Sequence, residues 1–124
     1  MIYFVGSKGI IFNSLSKFLG RRFKVITRRK KKGYIKTNIF NNNFDKKKEK
    51  SLKLINKKDT VIILSNPGSV FFCEKNPKKL KKFLNNLIRN FLSNLSIETK
   101  VIFFSSDYVF SGKKKIYFDN SKTE

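Results

Sequence analysis

At 124 residues and 40% hydrophobic content, the chain is long enough for one domain, 1–124, with a core of its own. One cysteine, Cys73, and no histidine exclude an internal disulfide and leave no ligand set for zinc. No apolar run approaches the roughly 18 residues of a membrane span and no secretory signal is evident, so a soluble, cytoplasmic protein with no membrane partner is expected.

The formal charge of +21 would ordinarily point to nucleic acid. Only 5 of the 29 basic residues are arginine, the type that phosphate-reading surfaces favour. The chain also lacks Ala, Gln, His and Trp while being rich in Lys, Asn, Ile and Phe. An AT-rich coding bias explains that pattern better than a nucleic-acid partner does.

Ile2 to Val5 is a short apolar strand that runs into Gly6-Ser-Lys-Gly9. Ile10 to Leu19 then places apolar residues at 11, 12, 15, 18 and 19, a helical stripe with Gly20 set to end it. Strand, glycine turn and helix in this order is the setting in which a backbone without side chains approaches a dinucleotide pyrophosphate, with the helix N-terminus facing its charge. Phe23 to Thr27 reads as a second strand, followed by Arg28, Arg29 and a lysine run to Lys32. An acid after this strand would bind the ribose hydroxyls of NAD, whereas arginine suits the 2′-phosphate of NADP; no acid stands here. The other reading of the run is a solvated basic loop.

Tyr34 to Phe40 suggests a third strand, Asn41 to Lys50 is polar and of low complexity, and Ser51 to Asn56 fits a short helix. Asp59-Thr-Val-Ile-Ile-Leu-Ser65 is a buried strand broken by Asn66-Pro-Gly-Ser69. Asn76 and Pro77 suit the N-cap and first residue of a helix. Leu80, Phe83, Leu84, Leu87, Ile88, Phe91, Leu92 and Leu95 then form its apolar stripe, a core or helix-pairing surface rather than a ligand feature. Val101 to Phe104 is a continuous apolar run, as in a strand covered on both faces. The polar residues Ser105, Ser106, Asp107 and Tyr108 follow it, where open α/β sheets bind ligands.

The string Ser105-Ser-Asp-Tyr-Val-Phe-Ser-Gly112 resembles the Ser-Thr-Asp-Tyr-Val-Phe-Asp-Gly signature of the dTDP-4-dehydrorhamnose reductases. These belong to the extended short-chain dehydrogenase and NAD-dependent epimerase group. Gly6 and Gly9 are similar to the first two glycines of the family's Gly-x-x-Gly-x-x-Gly; Phe12 replaces the third, which calls for a helix held outward or a compensating gap. Cys73-Glu-Lys-Asn-Pro77 is similar to a Cys-Glu-x-x-Pro segment of many relatives.

The resemblance implies an α/β, Rossmann-like, doubly wound parallel sheet. It implies NADPH reduction of the 4-keto group of a dTDP-6-deoxyhexose. Gly6, Lys8, Gly9, Ile10, Arg28, Arg29, Ser65, Asn66 and Ser105 would contact NADP or NAD. Ser106 would be catalytic and orient the sugar carbonyl, with Asp107, Tyr108 and Phe110 at the nucleotide-sugar substrate; a homodimer is compatible with this. The family's acid is the tyrosine of a Tyr-x-x-x-Lys pair, but Ser7, Asn38, Gly112 and Ser121 stand four residues after the tyrosines here. The chain is therefore expected to be the cofactor half of a reductase, truncated before the substrate-binding portion and catalytically incomplete. The other reading is a non-enzymatic basic protein on the same fold that binds nucleic acid or an acidic partner.

Overall fold

A computed structural model describes residues 1–104 and Lys113. Five parallel strands form one sheet: β1 (Ile2–Val5), β2 (Phe23–Thr27), β3 (Ile35–Lys36), β4 (Thr60–Ile63) and β5 (Lys100–Phe103). Their order, β3-β2-β1-β4-β5, is consistent with a Rossmann-like fold. β1 lies at the centre, with Val5 beside Ile26 of β2 on one side and Ile63 of β4 on the other. The expected third strand shrinks to two residues of the 34–40 segment.

Alternation along the strands divides the core in two. Tyr3, Val5, Ile26, Val61 and Ile63 point to one face and pack with Ile39, Leu87 and Phe91. Phe4, Val25 and Ile62 point to the other and pack with Phe12 of α1 (Ile10–Leu19). Gly20, at φ 60°, ends α1 as its position suggested. Burying large side chains such as Phe4 and Phe91 contributes about 1.5–3 kcal/mol each.

The connections follow the sequence with two departures. Beyond the short α2 (Lys50–Leu54), residues 70–75 form a helix the sequence did not announce, α3 (Val70–Lys75), capped where Ser69 Oγ accepts from the Phe72 N–H at 3.2 Å. α4 (Pro77–Asn86) begins at Pro77, with Asn76 at its N-cap. The Asn76 side chain makes no capping bond to α4; its Nδ2 donates to Phe72 O at 2.9 Å and closes α3 instead. The long helix expected beyond residue 86 passes into a π-turn (Leu87–Phe91) and a 3₁₀ turn (Leu92–Asn94).

β5 corrects a second expectation. Among the described residues it is an edge strand, paired only to β4, and Val101, Ile102, Phe103 and Phe104 are 39–57% exposed. A continuous apolar run shows that a strand can be covered; packing decides whether it is. None of the described helices is long and apolar enough to cross a membrane.

Candidate functional site at the carboxyl ends of the strands

β1 and β4 are neighbours in the sheet, yet their helices depart to opposite faces, α1 to one and α4 to the other. The chain diverges there and leaves a crevice above the strand ends. Gly6 sits at its floor with φ 100°, its N–H donating to Ile26 O at 2.9 Å. A Cβ on Gly6 would stand 2.6 Å from Ser65 Oγ and 3.0 Å from Ser65 N. Ser65 is held in turn, its Oγ donating to Val5 O at 3.0 Å. Only glycine fits between these two strand ends.

Gly9 caps α1 at φ 95°, ψ 174°, a conformation essentially reserved for glycine. No side chain caps that terminus and no acid stands in its first turn. Its leading N–H groups therefore keep their hydrogen-bonding capacity, and the helix dipole adds positive potential beside the crevice.

Phe12 occupies the place where the motif would carry its third glycine. Its ring stands edge-on to Phe4 at 5.3 Å and to Phe23 at 6.1 Å, and Phe4 meets Phe23 at 5.4 Å. The three rings pack together: Phe12 is core, directed at the sheet, and is not among the described residues that line the crevice.

Two adjoining cavities open over the glycine turn. The smaller, about 340 Å³, is lined by Gly6, Ser7, Lys8, Thr27, Arg28, Arg29, Lys31, Leu64, Ser65 and Asn66. Among the described residues it holds four cationic side chains and no carboxylate. The larger, about 790 Å³, shares Lys8, Leu64, Ser65 and Asn66 with it. It continues past Gly9, Ile10 and Ile11 to an apolar wall of Leu80, Phe83 and Leu84 from α4, with Phe103 at the end of β5 and Phe104 just after it.

The eight candidate cofactor residues within the described chain, Gly6, Lys8, Gly9, Ile10, Arg28, Arg29, Ser65 and Asn66, thus converge on one crevice. Ser105, Ser106, Asp107, Tyr108 and Phe110 lie outside the described residues.

The two arginines behave differently. Arg28 places its guanidinium 5.7 Å from the Phe40 ring and 5.8 Å from Phe83, two rings stacked 4.5 Å apart. Arg28 is thereby tied to the α4 side. For Arg29 the turn itself is braced, Thr27 Oγ1 donating to Arg29 O at 2.6 Å. Sequence reasoning missed Thr27 and Lys31 as lining residues, although Thr27 directly precedes the basic run it singled out and Lys31 lies within it. It also assigned Leu80, Phe83 and Leu84 wholly to packing. Their stripe has two edges, and the one nearest the α4 N-terminus faces the larger cavity.

No known protein family, curated protein or solved structure matches this chain.

Proposed function

We propose that the chain binds an oxidised or reduced nicotinamide dinucleotide, NADP in preference to NAD, as the cofactor-binding part of a nucleotide-sugar reductase. The observation that carries this reading is the convergence of the Gly6–Gly9 turn, the uncapped N-terminus of α1 and a cluster of cations, with no carboxylate among the described lining residues, in one crevice between β1 and β4. The pyrophosphate sits on the glycine turn, where backbone N–H groups and the α1 dipole meet its charge. Arg29 and Lys31 receive the 2′-phosphate; an acid would repel it and none of the described residues lining the cleft is acidic. The larger cavity, apolar and reached past Gly9 and Ser65, takes the nicotinamide end.

The reductase part of the reading rests on the Asp107-Tyr-Val-Phe-Ser-Gly112 string and its resemblance to the dTDP-4-dehydrorhamnose reductases. Ser106 then orients a substrate carbonyl, with Asp107, Tyr108 and Phe110 at the sugar nucleotide.

Titration calorimetry with NADPH and NADH tests the cofactor assignment. NADPH is expected to bind more tightly, and Arg29→Glu to weaken NADPH about tenfold or more while leaving NADH within about threefold, a charged hydrogen bond being worth about 1.5–3 kcal/mol. Equal loss for both dinucleotides would remove the 2′-phosphate assignment. Absence of binding for both would remove the dinucleotide reading.

A further inference from the structure

The outer face of α4 and the π-turn carries a second concentration of positive charge, remote from the glycine turn in its lining. Lys78, Lys82, Asn85 and Arg89 follow one another at intervals of four, three and four residues, the spacing of one helix face. With Lys81 and Asn86 they line a groove of about 300 Å³. No described carboxylate pairs with any of these four cations.

The opposite face of the same segment is fixed. Phe83, Leu87 and Phe91 are buried and Asn90 Nδ2 donates to Ile39 O at 2.8 Å, while at the groove's own border Asn86 Nδ2 donates to Phe40 O at 2.9 Å. The cations therefore project from a braced helix rather than from a loop. Composition can put lysines on a surface; it does not align them into one groove.

We propose that this face docks double-stranded nucleic acid through its phosphate backbone. From Lys78 to Arg89 a helix rises about 16 Å, the length over which one strand of a duplex presents about five phosphates. A single strand is a poorer fit, because its unstacked bases need aromatic platforms and none of the described residues lining the groove is aromatic. A membrane surface is poorer too, since it requires an apolar flank beside the cations. Here Phe83, Leu87 and Phe91 are turned into the core, and Ile88 is the one large apolar side chain of 77–91 left exposed. This surface stands independently of the dinucleotide reading.

The test is fluorescence anisotropy of the full chain with a labelled DNA duplex of about 20 base pairs, at about 50 to 200 mM salt. Lys78→Glu/Lys82→Glu/Arg89→Glu is compared with Lys46→Glu/Lys47→Glu/Lys53→Glu, which changes net charge equally at exposed positions elsewhere. The groove triple is expected to lose at least about tenfold in affinity and to flatten the log–log salt slope by about three, while the control loses less than about threefold. Circular dichroism checks folding, and Lys78→Gln/Lys82→Gln/Arg89→Gln decides by the same comparison where the charge reversal does not fold. Equal losses in groove and control variants would overturn the proposal. So would no duplex binding at the lowest salt, or tighter binding of single-stranded DNA or of anionic phospholipid vesicles than of the duplex.

Discussion

Gly6 and Gly9 have similar φ values and different surroundings, so the same substitution separates conformation from contact. Gly9→Ala meets nothing within 4 Å and carries only backbone strain, about 1–3 kcal/mol. Gly6→Ala carries comparable strain and also drives a methyl to 2.6 Å from Ser65 Oγ and 3.0 Å from Ser65 N. The side chain can rotate away, at the cost of its bond to Val5 O; the backbone cannot. Urea unfolding is expected to show Gly6→Ala as the more destabilised by about 1 kcal/mol or more, and equal losses would mean that the β1–β4 contact is slack. Asp59 sits at the other end of the sheet. The Met1 ammonium donates to its Oδ1 at 2.8 Å and the Asn56 N–H to its Oδ2 at 2.7 Å, and these bonds hold its carboxyl below the ordinary carboxylate range. A carboxyl depressed in the folded state stabilises fully above its unfolded value, about 3.9, and loses that contribution as pH falls through the lower folded value. Asp59→Asn is therefore expected to cost about 1–3 kcal/mol near pH 6, with the gap from the parent closing as pH drops below about 4. A pH-independent gap would place the effect in packing.

At the scale of elements, the segment from α4 into the π-turn holds a polar residue where its stripe calls for an apolar one. Asn90 is buried between Leu87 and Phe91, and its Nδ2 serves both Ile39 O, at 2.8 Å, and Asn41 O, at 3.0 Å. Those carbonyls belong to a stretch with no strand or helix of its own, so the helix side chain supplies the partners that a ladder would otherwise give. The Leu92 N–H meanwhile spans both Ile88 O and Leu87 O, the wider winding that marks the π-turn. Asn90→Ala leaves two carbonyls without their donor and is expected to cost about 2–4 kcal/mol in thermal or urea unfolding. A loss under about 1 kcal/mol would mean that water replaces the amide. The 39–42 stretch also contributes Phe40, stacked on Phe83 beneath Arg28. The end of the 34–40 segment, just ahead of the low-complexity stretch, thus connects the basic run after β2 to the wall of the larger cavity.

For the molecule as a whole, the proposed reductase chemistry carries its own prediction. Hydride transfer to a ketone needs a proton donor, and no tyrosine of this sequence has a lysine four residues on. General acid assistance is worth roughly a hundredfold to ten-thousandfold. The purified 124-residue chain is expected to bind NADPH without oxidising it in the presence of a dTDP-4-keto sugar, read by absorbance of the reduced nicotinamide. Turnover abolished by Ser106→Ala would require another acid in this chain. The strands β1, β2, β4 and β5, helix α1, its glycine terminator and the Pro77 start of α4 were all legible in the sequence. Each is written locally, as an apolar run, a 3.6-residue stripe or a residue with restricted φ. The same holds for the crevice residues Gly6 to Ile10, since a glycine turn between strand and helix carries its meaning within a few positions. What only the tertiary structure decided depends on partners far along the chain. Phe12 became core because Phe4 and Phe23 stand opposite it, and Arg28, while lining the cleft, lies over Phe40 and Phe83, which stack beneath it. The run Val101–Phe104, identical in pattern to a covered strand, lies open among the described residues because their sheet order puts it at the edge, and burial is a property of neighbours rather than of a side chain alone.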